Sequence, residues 1–397
     1  MAVIRRETIG YGSKLKNSLV GFLLSFVFLF GSLALLAWNE NRTLKTAQGL
    51  EAAGKLVQNI TADAVDPAFE GQLVHLSAEV ETVEGVADSV FGLAVPGLVL
   101  RRKVEVYQWE EKQTTREQEK LGGGTERVTE YSYQKTWHEG LIDSDRFEDS
   151  SHRNPDSIPF ESERVEASDA YLGAFYADST ILGALDEQAL NQPELANLSF
   201  PEGFRAIDGA TFYRGRNPES PEIGDMRVRF YWTPPQMVSL IAQQQGEGFV
   251  DWTSPADTSI YLARAGQHDA AAMVATAQSE NTLLGWLIRG GGFALMWLAF
   301  GLMLAPLKTA ASVLPPLGRA IGAATGIASL LLAATLSTLT IVLSWILVRP
   351  LWAAGVALLI AVGIGLWARK GARNANAAGI SSAPPAAPMG PPPPPPR

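Results

Sequence analysis

Twenty consecutive uncharged residues, Leu19 to Trp38, constrain this chain more than any other feature. At about 1.5 Å of rise per residue, a helix of that length crosses the roughly 30 Å hydrocarbon core of a bilayer. Arg5, Arg6, Lys14 and Lys16 precede it. A cleavable signal peptide has a shorter apolar stretch, about 7–15 residues, followed by a small-residue cleavage box. Here the run ends in Trp38-Asn39-Glu40, so it reads as an uncleaved signal anchor.

Charge then divides the chain. The stretch from Glu40 to Glu280 holds 40 of the 41 acidic residues but only 20 of the 32 basic ones, a net charge of −20. No acidic residue follows Glu280, and three further apolar runs lie there: Gly291 to Leu304 with Leu283 to Ile288 ahead of it, Ile321 to Val348, and Leu351 to Trp367. Arg349-Pro350 separates the last two as a tight turn. Basic residues at the N-terminus, at Lys308 and Arg319, and at Arg369, Lys370 and Arg373 would all face the cytoplasm after four crossings. Arg289, close to the second span, is expected to snorkel to the interface.

The expectation is an α+β membrane protein with four transmembrane helices, one N-terminal and three C-terminal, and a large strand-rich extracytoplasmic domain. Residues 1–18 form a cytoplasmic N-terminus, 19–38 the first span, 39–281 the outward domain and 283–304 the second span. A cytoplasmic loop, 305–320, leads to spans at 321–348 and 351–367. The low-complexity tail, 368–397, reads as cytoplasmic and disordered.

Within the outward domain, Thr43 to Val57 reads as a helix continuing out of the membrane. Leu98 to Glu110 and Glu126 to Trp137 alternate in strand fashion around Leu121-Gly122-Gly123-Gly124-Thr125, which predicts a long antiparallel hairpin. Met226 to Trp232 and Met237 to Gln243 read as further strands, and Asp178 to Leu190 and Asp269 to Trp286 as helices.

No constellation for catalysis emerges. His75, His138, His152 and His268 form no metal-binding array, and the chain has no cysteine. The triple glycines lack the Lys-Ser/Thr of a phosphate loop, and there is no nucleophile elbow. Paired carboxylates are expected by chance in so acidic a domain. A net charge of −20 excludes a dominant positive field for nucleic acid. The expected site therefore has no catalytic residue, cofactor or metal. Two groups stand out instead. Arg101, Arg102 and Lys103, with Tyr107 and Trp109 on the same strand, form a candidate interaction surface for headgroups or for acidic neighbours within the chain. Gly322 and Gly326, with Ser337, Thr340 and Ser344 on one helical face, form a candidate packing surface. No span carries Asp, Glu or His, which speaks against a proton-coupled path.

Several segments together resemble the transmembrane protein 43 (LUMA) family. They are Asn39-Glu40-Asn41-Arg42-Thr43-Leu44-Lys45-Thr46-Ala47, Leu100-Arg101-Arg102-Lys103-Val104-Glu105-Val106-Tyr107-Gln108-Trp109 and Tyr131-Ser132-Tyr133 with Trp137. Arg153-Asn154-Pro155, Pro221-Glu222-Ile223-Gly224-Asp225-Met226-Arg227-Val228 and Arg349-Pro350-Leu351-Trp352 follow in the family's order. The resemblance implies four spans around a non-cytoplasmic domain. It implies a membrane organiser that self-associates, in the endoplasmic reticulum and inner nuclear membrane for animal members, where lamins and emerin are partners. The alanine-rich, cysteine-free character points to a bacterial member in a cell inner membrane with a periplasmic domain, where no lamina exists. The expected role is a non-enzymatic membrane scaffold. Its partners would be the lipid bilayer, other membrane proteins and further copies of itself in a homo-oligomer, with no nucleic acid. A channel or channel modulator using the Ser/Thr face, and an envelope lipid- or glycan-acting enzyme using paired carboxylates, are the alternatives.

Overall fold

A computed structural model describes residues 3–190, 201, 203–347 and 355. The expected fourth span, the turn at Arg349-Pro350 and the proline-rich tail lie outside the described residues. The chain opens with β1 (Val3–Ile9), then a single helix α1 (Tyr11–Leu56). Among the described residues, three helices are long and apolar enough to cross a membrane: α1, α2 (Ala270–Ala311) and α3 (Pro315–Leu347). Each extends beyond its apolar run. Nothing breaks α1 between the first span and Leu56, so the helix predicted over Thr43 to Val57 is its direct continuation. Asp269 caps α2, its carboxylate accepting from Ala272 N at 2.6 Å. Pro315 and Pro316 open α3, where their missing N–H groups cost nothing.

Among the described residues, the chain between α1 and α2 builds most of two large sheets, antiparallel apart from one short parallel pair at Gln58–Asn59, and two small two-stranded ones. The principal strands are β2 (Leu73–Glu81), β3 (Val99–Glu119), β4 (Thr125–Glu139), β5 (Thr211–Arg214), β6 (Met226–Thr233) and β7 (Gln236–Gln245). The first sheet runs β1-β4-β3-β6-β5, and the second pairs β2 with β7 and adds shorter strands on both flanks. The hairpin expected from alternation is present and longer than read: β3 pairs β4 from Glu105↔Glu139 to Glu119↔Thr125. Gly122 and Gly123, both at positive φ, supply the turn.

The core follows from the strand period of two. Val74, Leu76 and Val80 of β2, and Val238, Leu240 and Ala242 of β7, face Val104, Val106, Val228 and Phe230 of the first sheet. Leu73 and Ile241, one residue out of phase, face the opposite way and meet Leu50 and Ala53 of α1 and Met273, Val274 and Ala277 of α2. The second sheet is therefore covered on both sides, and the helices grip the domain through their membrane-distal turns. Within the bundle, Leu36, Met296 and Ala333 make a third cluster from all three helices.

Two expectations need correction. Asp178 to Leu190 is not one helix. Only Ser179–Gly183 is helical, and Gln188–Ala189 is drawn out as a strand onto Trp232 and Tyr231 of β6. Val3–Ile9, read only as part of the basic cytoplasmic N-terminus 1–18, is a strand paired with β4 from Val3↔Tyr131 to Ile9↔Thr125.

Candidate functional site

The basic cluster is consumed within the chain. Arg101 donates to Glu187 from Nε and Nη2, at 2.9 and 2.7 Å, and lies over the Tyr231 ring. Its hydrogen bond to Glu187 holds the Arg101 pKa above the ordinary guanidinium value. Arg102 is buried, bound to Asp88 and to Glu163. Lys103 lies 3.5 Å from Glu105. Glu105 also accepts from Arg227 at 2.6 Å. Burial pushes the Glu105 pKa up, but the Arg227 hydrogen bond and the charges of Arg227, Lys103 and Arg229 outweigh it and leave it below the usual value. Tyr107 packs its ring on Trp137, and Trp109 meets His152 edge-on. The partners, Asp88, Glu163 and Glu187, come from segments that no local pattern connects to β3.

Of the packing candidates, Gly322 lies against α2: a Cβ there would sit 3.1 Å from Lys308 Cε, whereas at Gly326 it would meet open space. Ser337 and Ser344 are buried, and Ser337 and Thr340 donate to the backbone of their own helix at Ala334 O and Leu336 O. A hydroxyl that does join two helices is that of Ser329, which accepts from Trp297 Nε1 at 3.1 Å.

A polar site joins α1 to α2 where the helices leave the apolar zone. Arg289 does not snorkel alone. Its Nε and Nη2 donate to the two carboxylate oxygens of Glu40 at 2.7 and 2.8 Å, a two-pronged pair. Glu40 is 3% exposed. One residue before it, Asn39 Nδ2 donates to Gly285 O at 3.1 Å, and Asn281 Nδ2 donates to Thr43 O at 2.9 Å. These bonds lock α1 to α2 over two turns. Gly285 lets the helices close up, since a Cβ there would sit 3.1 Å from Thr43 Oγ1. Asn39, Glu40 and Asn281 carry this clamp, and the sequence reading missed them as functional groups. The available signal was opposite charge: Glu40 and Arg289 stand at the same end of two antiparallel spans.

A second junction lies at the other end of α1. The tip of the β3–β4 hairpin meets Tyr11, which packs on Gly123. Lys14 pairs with Glu119 at 3.3 Å, and Gly122 N donates to Val313 O at 3.3 Å. A cleft of about 500 Å³ opens here between Lys14, Glu117, Glu119, Lys308 and Arg319. Among the described residues no group of three or more His, Asp or Glu side chains could hold a metal ion.

Other family-like segments hold strands in place. Asn154 imitates a neighbouring strand, accepting from Trp109 N at 2.7 Å and donating to Trp109 O and Ile142 O. Asp225 accepts from the Tyr213 hydroxyl and from Glu222 N, while Gly224 N and Asp225 O pair with the backbone of Tyr107. Burial and that carboxylate push the Tyr213 phenol well above its ordinary pKa.

Comparison with known proteins agrees with this pattern. The family model for Transmembrane protein 43 matches residues 106–350. Transmembrane protein 43 of Mus musculus is 30% identical over 359 residues, 87% of each chain, and that of Homo sapiens 30% over 356 residues, 86% of each. The Drosophila melanogaster homolog is 25% identical over 284 residues, 66% of this chain and 74% of its own. No solved structure matches. The segments that build the clamp and brace the hairpin thus sit in a chain alike over most of its length, and this protein belongs to the transmembrane protein 43 family.

Proposed function

We propose that this protein is a non-enzymatic membrane scaffold, with its helices self-associating in a cell inner membrane and its sheet domain held on the extracytoplasmic, periplasmic side to bind protein or lipid. The observation that carries this reading is the Glu40–Arg289 clamp. It locks α1 to α2 below the turns that pack on the second sheet through Leu50, Ala53, Met273 and Val274, which suits a part that transmits position rather than one that turns over substrate. The buried or nearly buried carboxylates Glu40, Asp88 and Glu105 are each tied to an arginine, which supports structural roles for them. Apolar side chains such as Leu23, Val27, Leu283 and Leu287 stay exposed along the spans and offer surface for lipid or for other helices.

Crosslinking and mass spectrometry of the protein in its native membrane tests the reading. The expected result is a recurrent set of envelope proteins together with contacts between copies. A hydrolase or transferase activity that disappears with one domain carboxylate, without recurrent partners, would overturn it.

A further inference from the structure

Three cations converge at the end of the helix bundle away from the clamp. Lys14 of α1, Lys308 of α2 and Arg319 of α3 line the cleft of about 500 Å³, and the hairpin closes it with Glu117, Glu119 and Thr125. That volume is in the range of small-molecule sites. The three cations also share a depth. Lys14 stands five residues before the first apolar run, Lys308 four residues after the second, and Arg319 two residues before the third. At about 1.5 Å per residue these offsets are roughly 8, 6 and 3 Å. The headgroup layer on either side of the hydrocarbon core is about 5–8 Å thick. All three charges therefore lie at the level of lipid phosphates.

The charges of the cleft do not balance within the chain. Glu117 accepts from Arg127 at 2.7 Å, and Glu119 pairs with Lys14 at 3.3 Å. Among the described residues, neither Lys308 nor Arg319 has an ion-pair partner, and both are exposed. Gly322 leaves room for the Lys308 stem along α3, since a Cβ there would sit 3.1 Å from Lys308 Cε. Two buried polar atoms of cleft residues also lack a partner: the hydroxyl of Thr125, a residue 4% exposed, and Oε2 of Glu119. Buried polar groups are ordinarily hydrogen-bonded. Leu307, Val313, Leu314 and Leu317, on the same helix ends, are exposed, so apolar surface flanks the cations.

We propose that this cleft binds the phosphate of an anionic glycerophospholipid with a hydroxyl-bearing headgroup, drawn from the leaflet at this end of the bundle. Lys308 and Arg319 hold the phosphate oxygens through charge-assisted hydrogen bonds, and the guanidinium can span two of them. A headgroup hydroxyl donates to Glu119 and accepts from Thr125. The acyl chains run back along the apolar surfaces of α2 and α3. Depth and the apolar flank select a lipid over a soluble phosphate ester. The two unpaired cations select an anionic lipid over a choline lipid. A headgroup seated here joins the hairpin tip to α2 and α3, at the end of the bundle where the chain's own bonds are few.

The inference rests on the reading above that the helices span a bilayer, and its failure would leave the scaffold reading to the crosslinking experiment. The full-length protein, stripped of lipid in detergent, is offered phosphatidylglycerol or phosphatidylcholine of the same acyl chains, and retained lipid is counted by native mass spectrometry. Phosphatidylglycerol is expected to bind about tenfold more tightly, and Lys308→Gln with Arg319→Gln to abolish that preference. Lys16→Gln removes a cation at the same interface but outside the cleft, and should leave the preference almost unchanged. Equal binding of the two lipids by the unmodified protein would overturn the proposal, whether or not the double variant folds. An equal loss in Lys16→Gln would reduce the cleft to diffuse surface charge and overturn it too. Displacement of phosphatidylglycerol by an excess of glycerol 3-phosphate would assign the cleft to a soluble phosphate ester and overturn the lipid.

Discussion

The two ends of α1 meet the rest of the molecule in different ways. At the upper end, Asn39, Glu40, Asn281 and Arg289 bind helix to helix through four hydrogen bonds, with Glu40 buried. At the lower end, one ion pair of part-exposed side chains, Lys14–Glu119, and one long backbone bond join three distant segments beside an open cleft. The upper junction sets the register of the spans. A two-pronged pair with a buried carboxylate is costly to break because its survivor stays desolvated, whereas a half-buried pair held by a single 3.3 Å contact loses less.

The largest expected effect comes from breaking the clamp. Arg289→Ala strands Glu40, and a loss of about 3 kcal/mol is expected in detergent unfolding; a loss under about 1 kcal/mol would erase the contrast between the two ends. Just above it, Gly49→Ala places a Cβ 2.2 Å from Thr258 Oγ1 and 2.8 Å from Ser254 Oγ. That overpacking should cost about 2 kcal/mol and loosen the domain from α1, seen as faster amide exchange at Ser254 to Ser259. At the root of the β3–β4 hairpin, Asn154→Ala leaves Trp109 N–H unpaired, with about 1–2 kcal/mol lost and the hairpin made protease-sensitive.

Acid gives a softer probe of the same root. Glu105 has a pKa held below its ordinary value by Arg227, so its contribution is complete above the usual carboxylate range and is lost as pH falls through the depressed value. Stability should therefore drop on acidification, and Glu105→Gln should flatten that limb of the pH profile. Lys14→Ala should do least, under about 1 kcal/mol.

How much was legible depended on whether the signal was local. The long apolar runs, the glycine turn and the strand alternation lie in contiguous sequence, and α1, α2, α3 and the β3–β4 hairpin follow from them. The pairing of Val3–Ile9 with Thr125–Tyr131 joins segments more than a hundred residues apart, and Arg5 and Arg6 read more naturally as a basic flank. For Arg101–Lys103 the sequence left headgroups and acidic neighbours within the chain both open, because the partners, Asp88, Glu163 and Glu187, are scattered through the fold. Arg289 looked solitary because Glu40 lies 249 positions away. The residues of the family-like segments were visible, but their work was not. Asn154, Gly224 and Asp225 brace backbone, and only the sheet shows which strand they hold.

A pair of double-mutant cycles, Glu40/Arg289 and Lys14/Glu119, measured by unfolding in one detergent, tests the central contrast most directly. The predicted result is a coupling of a few kcal/mol at the upper pair and under about 1 kcal/mol at the lower. Equal couplings, or a stronger lower pair, would contradict the account.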